Sequence, residues 1–278
     1  MGAIIWLASY PKSGNTWMRA FLHNMLRDPD KPIPINDIDK FTIGDAAVGW
    51  YRRFTSKTGD QLSLEDLAEL RPKVHRSFTQ AFPDSVFVKT HSYMGESCGT
   101  PLITMEVTAG AIYVVRNPLD VTLSFADHFG LSIDKTIAAM SREGGHSKPS
   151  EQAVVEFING WSQHVKSWTQ MPHPSLHVVR YEDMKAKPLH TFRKVTRFLG
   201  VSPSDERISK AIRFSSFKEM KKQEERGGFK ERSDHSTAFF RSGGTGGWRK
   251  NLTEQQVARI VDLHREQMAR FGYLPKGF

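Results

Sequence analysis

A chain of 278 residues that is 38% hydrophobic, 11% aromatic and 25% charged has the composition of a folded protein with room for one large core or two small ones. This excludes a mainly disordered chain, a collagen-like repeat and a disulfide scaffold, and the lone Cys98, with no internal partner, points to a reducing, cytoplasmic setting. Thirty-nine Lys and Arg against thirty Asp and Glu leave a formal charge of +9, which favours an anionic partner: nucleic acid, an acidic membrane or a phosphorylated ligand.

The first seven residues carry no basic leader and do not read as a signal peptide. No apolar run approaches the ~18 residues that span a bilayer. Residues 3–8, 86–88, 111–115 and 177–179 are short, nearly continuous apolar runs, which predict strands covered on both faces. Helical patterns fall between them. Residues 16–26 place Trp17, Phe21, Leu22 and Met25 at helical spacing. Residues 118–129 follow Asn117 as a cap, with Pro118 at the first helical position and Asp120 in the first turn. A long helix is predicted over about residues 150–170, and another from Pro188 to a stop signal at Gly200. The last helix opens on the capping box Thr253 to Gln256 and sets Val257, Ile260, Val261, His264 and Met268 on one face before Gly272 closes it.

Strands separated by helices predict an α/β fold: a single P-loop-like domain over residues 1–278, with a central parallel sheet flanked by helices. The chain has no internal repeat and no low-complexity linker. Two irregular stretches, residues 141–149 and 223–240, are expected to be mobile and lid-like.

The segment from Trp6 to Trp17 reads as strand, tight loop and helix, a geometry that aims backbone N–H groups and a positive helix end at one phosphate. Lys12 adds a cation, and Ser13 and Thr16 add hydroxyl donors. An ATP or GTP loop requires a glycine, four intervening residues and then a Gly-Lys pair. Here Lys12 precedes Gly14 and no glycine lies between Gly2 and Gly14. The strand ending at Val115 leads to Arg116, where a nucleotide kinase wants an acid for magnesium. Arg116 and Ser124, two turns into the following helix, are positioned to hold a second anion.

Together these residues resemble the cytosolic-type sulfotransferases that use 3′-phosphoadenosine 5′-phosphosulfate (PAPS). Tyr10-Pro11-Lys12-Ser13-Gly14-Asn15-Thr16-Trp17 is similar to the family's 5′-phosphosulfate loop, and Arg116-Asn117-Pro118-Leu119-Asp120 through Ser124 to its 3′-phosphate element. Val88-Lys89-Thr90-His91 resembles the strand end that carries the family's histidine. Tyr181-Glu182-Asp183-Met184 and the run from Ser215 through Phe217 to Met220 look like its adenine-side segments. Residues 241–249, beginning Arg241-Ser242-Gly243, look like its late glycine-rich loop. Two positions depart from the pattern: Ser242 stands where a basic residue is usual, and Gly247 where an acid is. In starting almost directly at its first strand the chain looks more like the short bacterial enzymes, including those that sulfate glycopeptide antibiotics, than like the vertebrate detoxification enzymes.

The resemblance implies transfer of a sulfuryl group from PAPS to a hydroxyl, leaving adenosine 3′,5′-bisphosphate (PAP). It makes His91 the general base, Lys12 the cation at the bridging oxygen and Lys89 the cation at the sulfuryl oxygens. Arg116, Ser124, Arg241, Ser242 and Gly243 are expected at the 3′-phosphate, Ser13, Gly14, Asn15 and Thr16 at the 5′ end, and Trp17, Tyr181, Ser215 and Phe217 around adenine. No metal is expected, since the eleven histidines form no ligand cluster in sequence. The acceptor is expected to be a phenol, alcohol or glycopeptide, shaped by residues 37–60, 92–104, 128–149 and 223–240. Neither nucleic acid nor a membrane is expected as partner, and the oligomeric state stays open, a dimer included. A P-loop nucleotide kinase and a non-catalytic polyanion-binding protein are the alternative readings.

Overall fold

The computed structural model describes residues 2–81 and 84–278. Five strands form one parallel sheet in the order β2-β3-β1-β6-β7: β1 (Ile4–Ser9), β2 (Thr42–Gly44), β3 (Val86–Thr90), β6 (Thr108–Val115) and β7 (Leu176–Arg180). A small ribbon, β4 (Glu96–Ser97) with β5 (Thr100–Pro101), lies apart from it. β1 sits at the centre because both of its faces are apolar. Trp6 and Ala8 pack into one core with Tyr51, Phe78, Trp161 and Trp168, while Leu7 packs into the other with Phe21, Met184 and Phe192. The central α/β sheet flanked by helices agrees with the sequence reading.

The helices are α1 (Asn15–Arg27), α2 (Val48–Tyr51), α3 (Leu64–Ala81), α4 (Pro118–Phe129), α5 (Ile133–Ser141), α6 (Trp161–Thr169), α7 (Tyr181–Ala186), α8 (Pro188–Phe198), α9 (Asp205–Phe214), α10 (Phe217–Gly227), α11 (Trp248–Asn251) and α12 (Glu254–Arg270). The cap signals are realised in detail. The Asn117 side chain accepts the Leu119 N–H at 3.0 Å, and Thr253 and Gln256 close a reciprocal capping box.

The long helix expected over residues 150–170 is a correction: α6 begins only at Trp161, and residues 150–160 run as an extended strap. Val154, Val155 and Ile158 have helix-like spacing, yet all three are buried from an extended backbone. A turn between Ser150 and Ala153 opens the strap, and the backbone there also pairs with another segment: Val48 N–H donates to the Gln152 carbonyl, and Val154 N–H to the Ala46 carbonyl. Asn159 then adopts φ 62° and Gly160 caps α6. Helix α3 has no counterpart in the sequence reading, because Pro72 stands inside it.

Candidate active site

The carboxyl ends of β1, β3 and β6 open into one cleft of about 1130 Å³. This is where a ligand is expected in an open parallel sheet. Its floor is the loop from Tyr10 to Gly14. Asn15 fastens that loop by donating to the Leu7 carbonyl at 2.8 Å and to Ser9 Oγ at 3.3 Å. Gly14 caps α1 at φ 106°, and a Cβ there would fall 2.7 Å from the Tyr181 ring, so only glycine fits both the turn and the contact. Lys12 also adopts a left-handed conformation, φ 65°, a strained setting for a residue with a Cβ. The Arg116 guanidinium holds this turn by donating to the Lys12 carbonyl at 2.9 Å, and it reaches the late loop by donating to the Gly244 carbonyl at 3.1 Å. It also lies over the Tyr181 ring, 4.2 Å from its centroid.

The Lys12 ammonium rests 3.8 Å from the centroid of the Phe239 ring and 3.4 Å from His128 Nδ1. Burial pushes its pKa down to about 8; Glu231 opposes that shift and Arg116 adds to it. Across the cleft, the end of β3 presents Lys89, Thr90 and His91. The His91 Nδ1 atom lies 2.7 Å from the Ser9 carbonyl, and the Lys89 ammonium lies 3.5 Å from Glu156 Oε1. Burial, reinforced by the Lys89 charge, pushes His91 down to about 4.

The late loop is seated on α4. Asp120 accepts the N–H groups of Gly246 at 2.7 Å and Trp248 at 3.3 Å, and Arg241 pairs with Asp127 at 3.0 Å. The Tyr181 hydroxyl donates to the Gly243 carbonyl at 3.0 Å, while Gly243 lies so close to the Phe217 ring that a Cβ there would collide with it. Trp17 packs edge-on against Tyr181, with centroids 5.6 Å apart.

Lys12, Gly14, Asn15, Thr16, Trp17, Lys89, His91, Arg116, Ser124, Tyr181, Phe217, Arg241, Ser242 and Gly243 thus all face the one cleft. Ser13 and Ser215 do not. The Ser13 hydroxyl is buried beneath the loop without a partner among the described residues, and the Ser215 hydroxyl is fully buried and donates to the Ala211 carbonyl at 2.8 Å. Ser215 therefore ends α9 rather than reaching a ligand.

The sequence reading passed over four groups in the cleft. Glu231 accepts from Thr16 Oγ1 at 3.1 Å and from Arg19 at 2.6 Å. Burial alone would raise its pKa, but the Arg19 and Lys89 charges hold it below the ordinary carboxylate range. His128 and Glu231 lie within segments expected to form the acceptor wall, although neither was singled out. Arg19 sits on α1 among residues read for their apolar spacing. Glu156 was hidden by the helix reading of residues 150–170.

Lys12 and Arg116 bring cations to the cleft, and Trp17, Tyr181 and Phe217 bring aromatic rings, a lining that fits an anionic, aromatic ligand. No three His, Cys, Asp or Glu side chains gather as a metal site among the described residues, and no described helix is long and apolar enough to cross a membrane.

Comparison with known proteins agrees with this geometry. The sulfotransferase domain family model matches residues 4–272. Sulfotransferase 1A1 of the dog, Canis lupus familiaris, is 26% identical over 96% of this chain and 83% of its own length, and dog sulfotransferase 1B1 is 29% identical over 95% and 82%. Among solved structures, a mouse sulfotransferase complexed with PAP superposes with a TM-score of 0.62 at 22% identity, covering 96% of this chain and 84% of that one. A retinol dehydratase in complex with retinol and PAP gives 0.65 at 19%, covering 95% and 81%. At these identities the two structures establish a shared fold.

Proposed function

This chain belongs to the sulfotransferase domain family, and from that premise we propose that it moves a sulfuryl group from PAPS to a hydroxyl-bearing small molecule, releasing PAP. The observation that supports this most directly is the meeting of two elements in one cleft. The Lys12 loop and Arg116 form an anion-binding end, and Lys89 and His91 face them from the neighbouring strand. Solved relatives of the same fold are complexed with PAP.

Lys12, the N-terminal amides of α1 and the Thr16 hydroxyl would hold the 5′-phosphate, with Glu231 giving up Thr16 as the ligand enters. Arg116, Ser124, Arg241 and the backbone of residues 242–244 would hold the 3′-phosphate. Trp17, Tyr181 and Phe217 would enclose the adenine. The bound donor supplies the sulfuryl group: the acceptor oxygen bonds to sulfur as the bond from sulfur to the 5′-phosphate oxygen breaks. The His91 Nδ1–H donates to the Ser9 carbonyl, which leaves the Nε2 lone pair to take the acceptor's hydroxyl proton. Lys12 and Lys89 meet the negative charge that grows on the leaving and transferring oxygens.

In this reading the side chains at hand neutralise the phosphates without a metal ion. The acceptor enters between the Lys12 loop, α4 and the strap, and residues 223–240 move as a lid, since Glu231 and Phe239 reach into the cleft from that part of the chain. The exposed, unpaired Cys98 suits a cytoplasmic setting.

Calorimetric titration with PAP and PAPS, followed by an acceptor screen read by PAP release, tests the proposal. Submicromolar to micromolar binding of both nucleotides and PAPS-dependent product would support it. A chain indifferent to both nucleotides, yet binding ATP with magnesium, would return the question to a kinase.

A further inference from the structure

The next step rests on the sulfuryl-transfer reading and concerns its second substrate. The Glu156 side chain lies in the cleft wall beside His91 and is 14% exposed. The strap that bears it is laced to the end of β3 at three points. His91 N–H donates to Glu156 Oε1 at 3.1 Å, Phe157 N–H to Ser92 Oγ at 3.3 Å, and Tyr93 N–H to the Phe157 carbonyl at 2.8 Å. This holds the carboxylate in a fixed relation to the residue that removes the acceptor's proton.

Glu156 Oε1 is occupied by the His91 amide and faces Lys89 at 3.5 Å. Oε2 makes no hydrogen bond to any described residue. Burial alone would raise this carboxyl's pKa, but Lys89 and His91 hold it below the ordinary range, so it faces the cleft as an anion. The same cleft is lined in part by the apolar side chains of Phe129, Leu131, Ile133 and Ile158. An anion with an unused oxygen on such a wall is costly until a donor completes it.

We infer that Glu156 is a specificity-determining residue whose free carboxylate oxygen receives a hydrogen-bond donor of the acceptor. The selected class has a ring-sized apolar body, a reacting hydroxyl directed at His91, and an ammonium or second hydroxyl directed at Glu156. Carboxylated acceptors meet repulsion at the same point.

Three phenols that differ only in the para substituent test this: tyramine, 4-ethylphenol and 3-(4-hydroxyphenyl)propionate, each assayed for kcat/KM with saturating PAPS. In the wild type, tyramine should exceed 4-ethylphenol by roughly tenfold or more, the size expected of a charge-assisted hydrogen bond, with the propionate slowest. Glu156→Gln keeps an oxygen for the His91 amide but loses the charge, and should bring the three within about threefold of one another. If turnover of that variant is too slow to read, the affinities of the three phenols for the PAP-bound proteins should show the same loss of discrimination. Equal use of all three by the wild type overturns the inference, as does an unchanged preference in Glu156→Gln or the absence of any phenol binding to the PAP-bound protein. A chain that fails to bind PAP defeats the earlier reading instead, whereas one that sulfates 4-ethylphenol without favouring tyramine defeats this inference alone.

Discussion

The His91 Nδ1 atom and the Ser9 carbonyl oxygen lie 2.7 Å apart, bridging the ends of two adjacent parallel strands. A carbonyl only accepts, so this contact fixes the proton on Nδ1 and the lone pair on Nε2. His91→Ala should therefore lower turnover roughly 10²–10⁴-fold, the usual range for losing a general base. PAP affinity should stay within a few-fold of wild type, because the nucleotide end contacts other residues. Single-turnover rates and calorimetry together check this; near-normal turnover would remove His91 from the chemistry.

The pH dependence follows from two displaced groups. In the proposed reaction His91 acts as the neutral imidazole and Lys12 as a cation; the His91 pKa is pushed down to about 4 by burial and by Lys89. Activity should thus hold as pH falls through 6 and drop only near 4. Burial pushes the Lys12 pKa down to about 8, so kcat/KM for PAPS should fall as pH rises through about 8. A bound phosphate favours the charged lysine and raises its pKa. The alkaline limb should then lie higher in kcat than in kcat/KM. Lys12→Arg, whose cation does not titrate in this range, should lose that limb in the rate profile even if its overall rate is lower.

In the proposed reading Arg116 has two separable tasks, holding the loop and meeting the 3′-phosphate, which predicts an asymmetric loss. Its guanidinium already ties the Lys12 and Gly244 carbonyls, while Nε has no partner among the described residues. Arg116→Ala should weaken PAP by roughly 10–100-fold, the equivalent of a charge-assisted bond, and adenosine 5′-phosphate distinctly less. Parallel titrations with the two nucleotides measure the difference. Equal weakening would mean that Arg116 serves only to hold the loop.

How much of this was legible in sequence depended on whether the signal was local. The Asn117 cap, the Thr253 capping box and the strand-loop-helix around Lys12 are written in neighbouring residues, and they appear where the pattern puts them. The strap at residues 150–160 was misread because Val154, Val155 and Ile158 are buried by tertiary neighbours whose positions no local period encodes. Glu231 and His128 share the same difficulty. Their contacts with Arg19 and Lys12 span 212 and 116 residues of sequence, so only the closed fold brings them together. Ser215 shows the converse difficulty: the resemblance in sequence puts a hydroxyl near adenine, while in the structure that hydroxyl ends α9 by donating to the Ala211 carbonyl.

If Lys12 and Lys89 supply the positive charge at the transferring group and Arg116 that at the 3′-phosphate, divalent cations should be dispensable. Initial rates in excess EDTA should match those in buffer, and added magnesium should change them less than about twofold. Loss of activity on chelation, restored by one metal, would require a ligand set that the described residues do not gather.

A final prediction concerns the support behind the histidine. Asp45 is 3% exposed; its carboxylate meets two groups and its own N–H makes a third contact. His75 Nε2 lies 2.8 Å from Oδ1, Thr90 Oγ1 donates to Oδ2 at 3.1 Å, and the Asp45 N–H donates to the Lys89 carbonyl at 2.9 Å. His75 in turn meets Thr104 at 2.8 Å. Asp45→Ala leaves His75 Nε2 and the Thr90 hydroxyl proton without their acceptor in the core, which should cost roughly 2–5 kcal/mol of stability at neutral pH. Burial opposes ionisation of Asp45, but the hydrogen bond and charge of His75, with Arg71, hold its pKa below the ordinary value. A depressed folded-state pKa contributes stability above the unfolded value of about 3.9 and loses it as pH falls toward the folded one. The gap between wild type and Asp45→Ala in urea denaturation should therefore be full at pH 7 and narrow below about pH 4. Asp45→Asn keeps the shape and the Thr90 contact, so it should fall between the two. If Asp45→Ala matched the wild type at pH 7, the end of β3 would owe its position to Glu156 and the strap, with no contribution from this buried group.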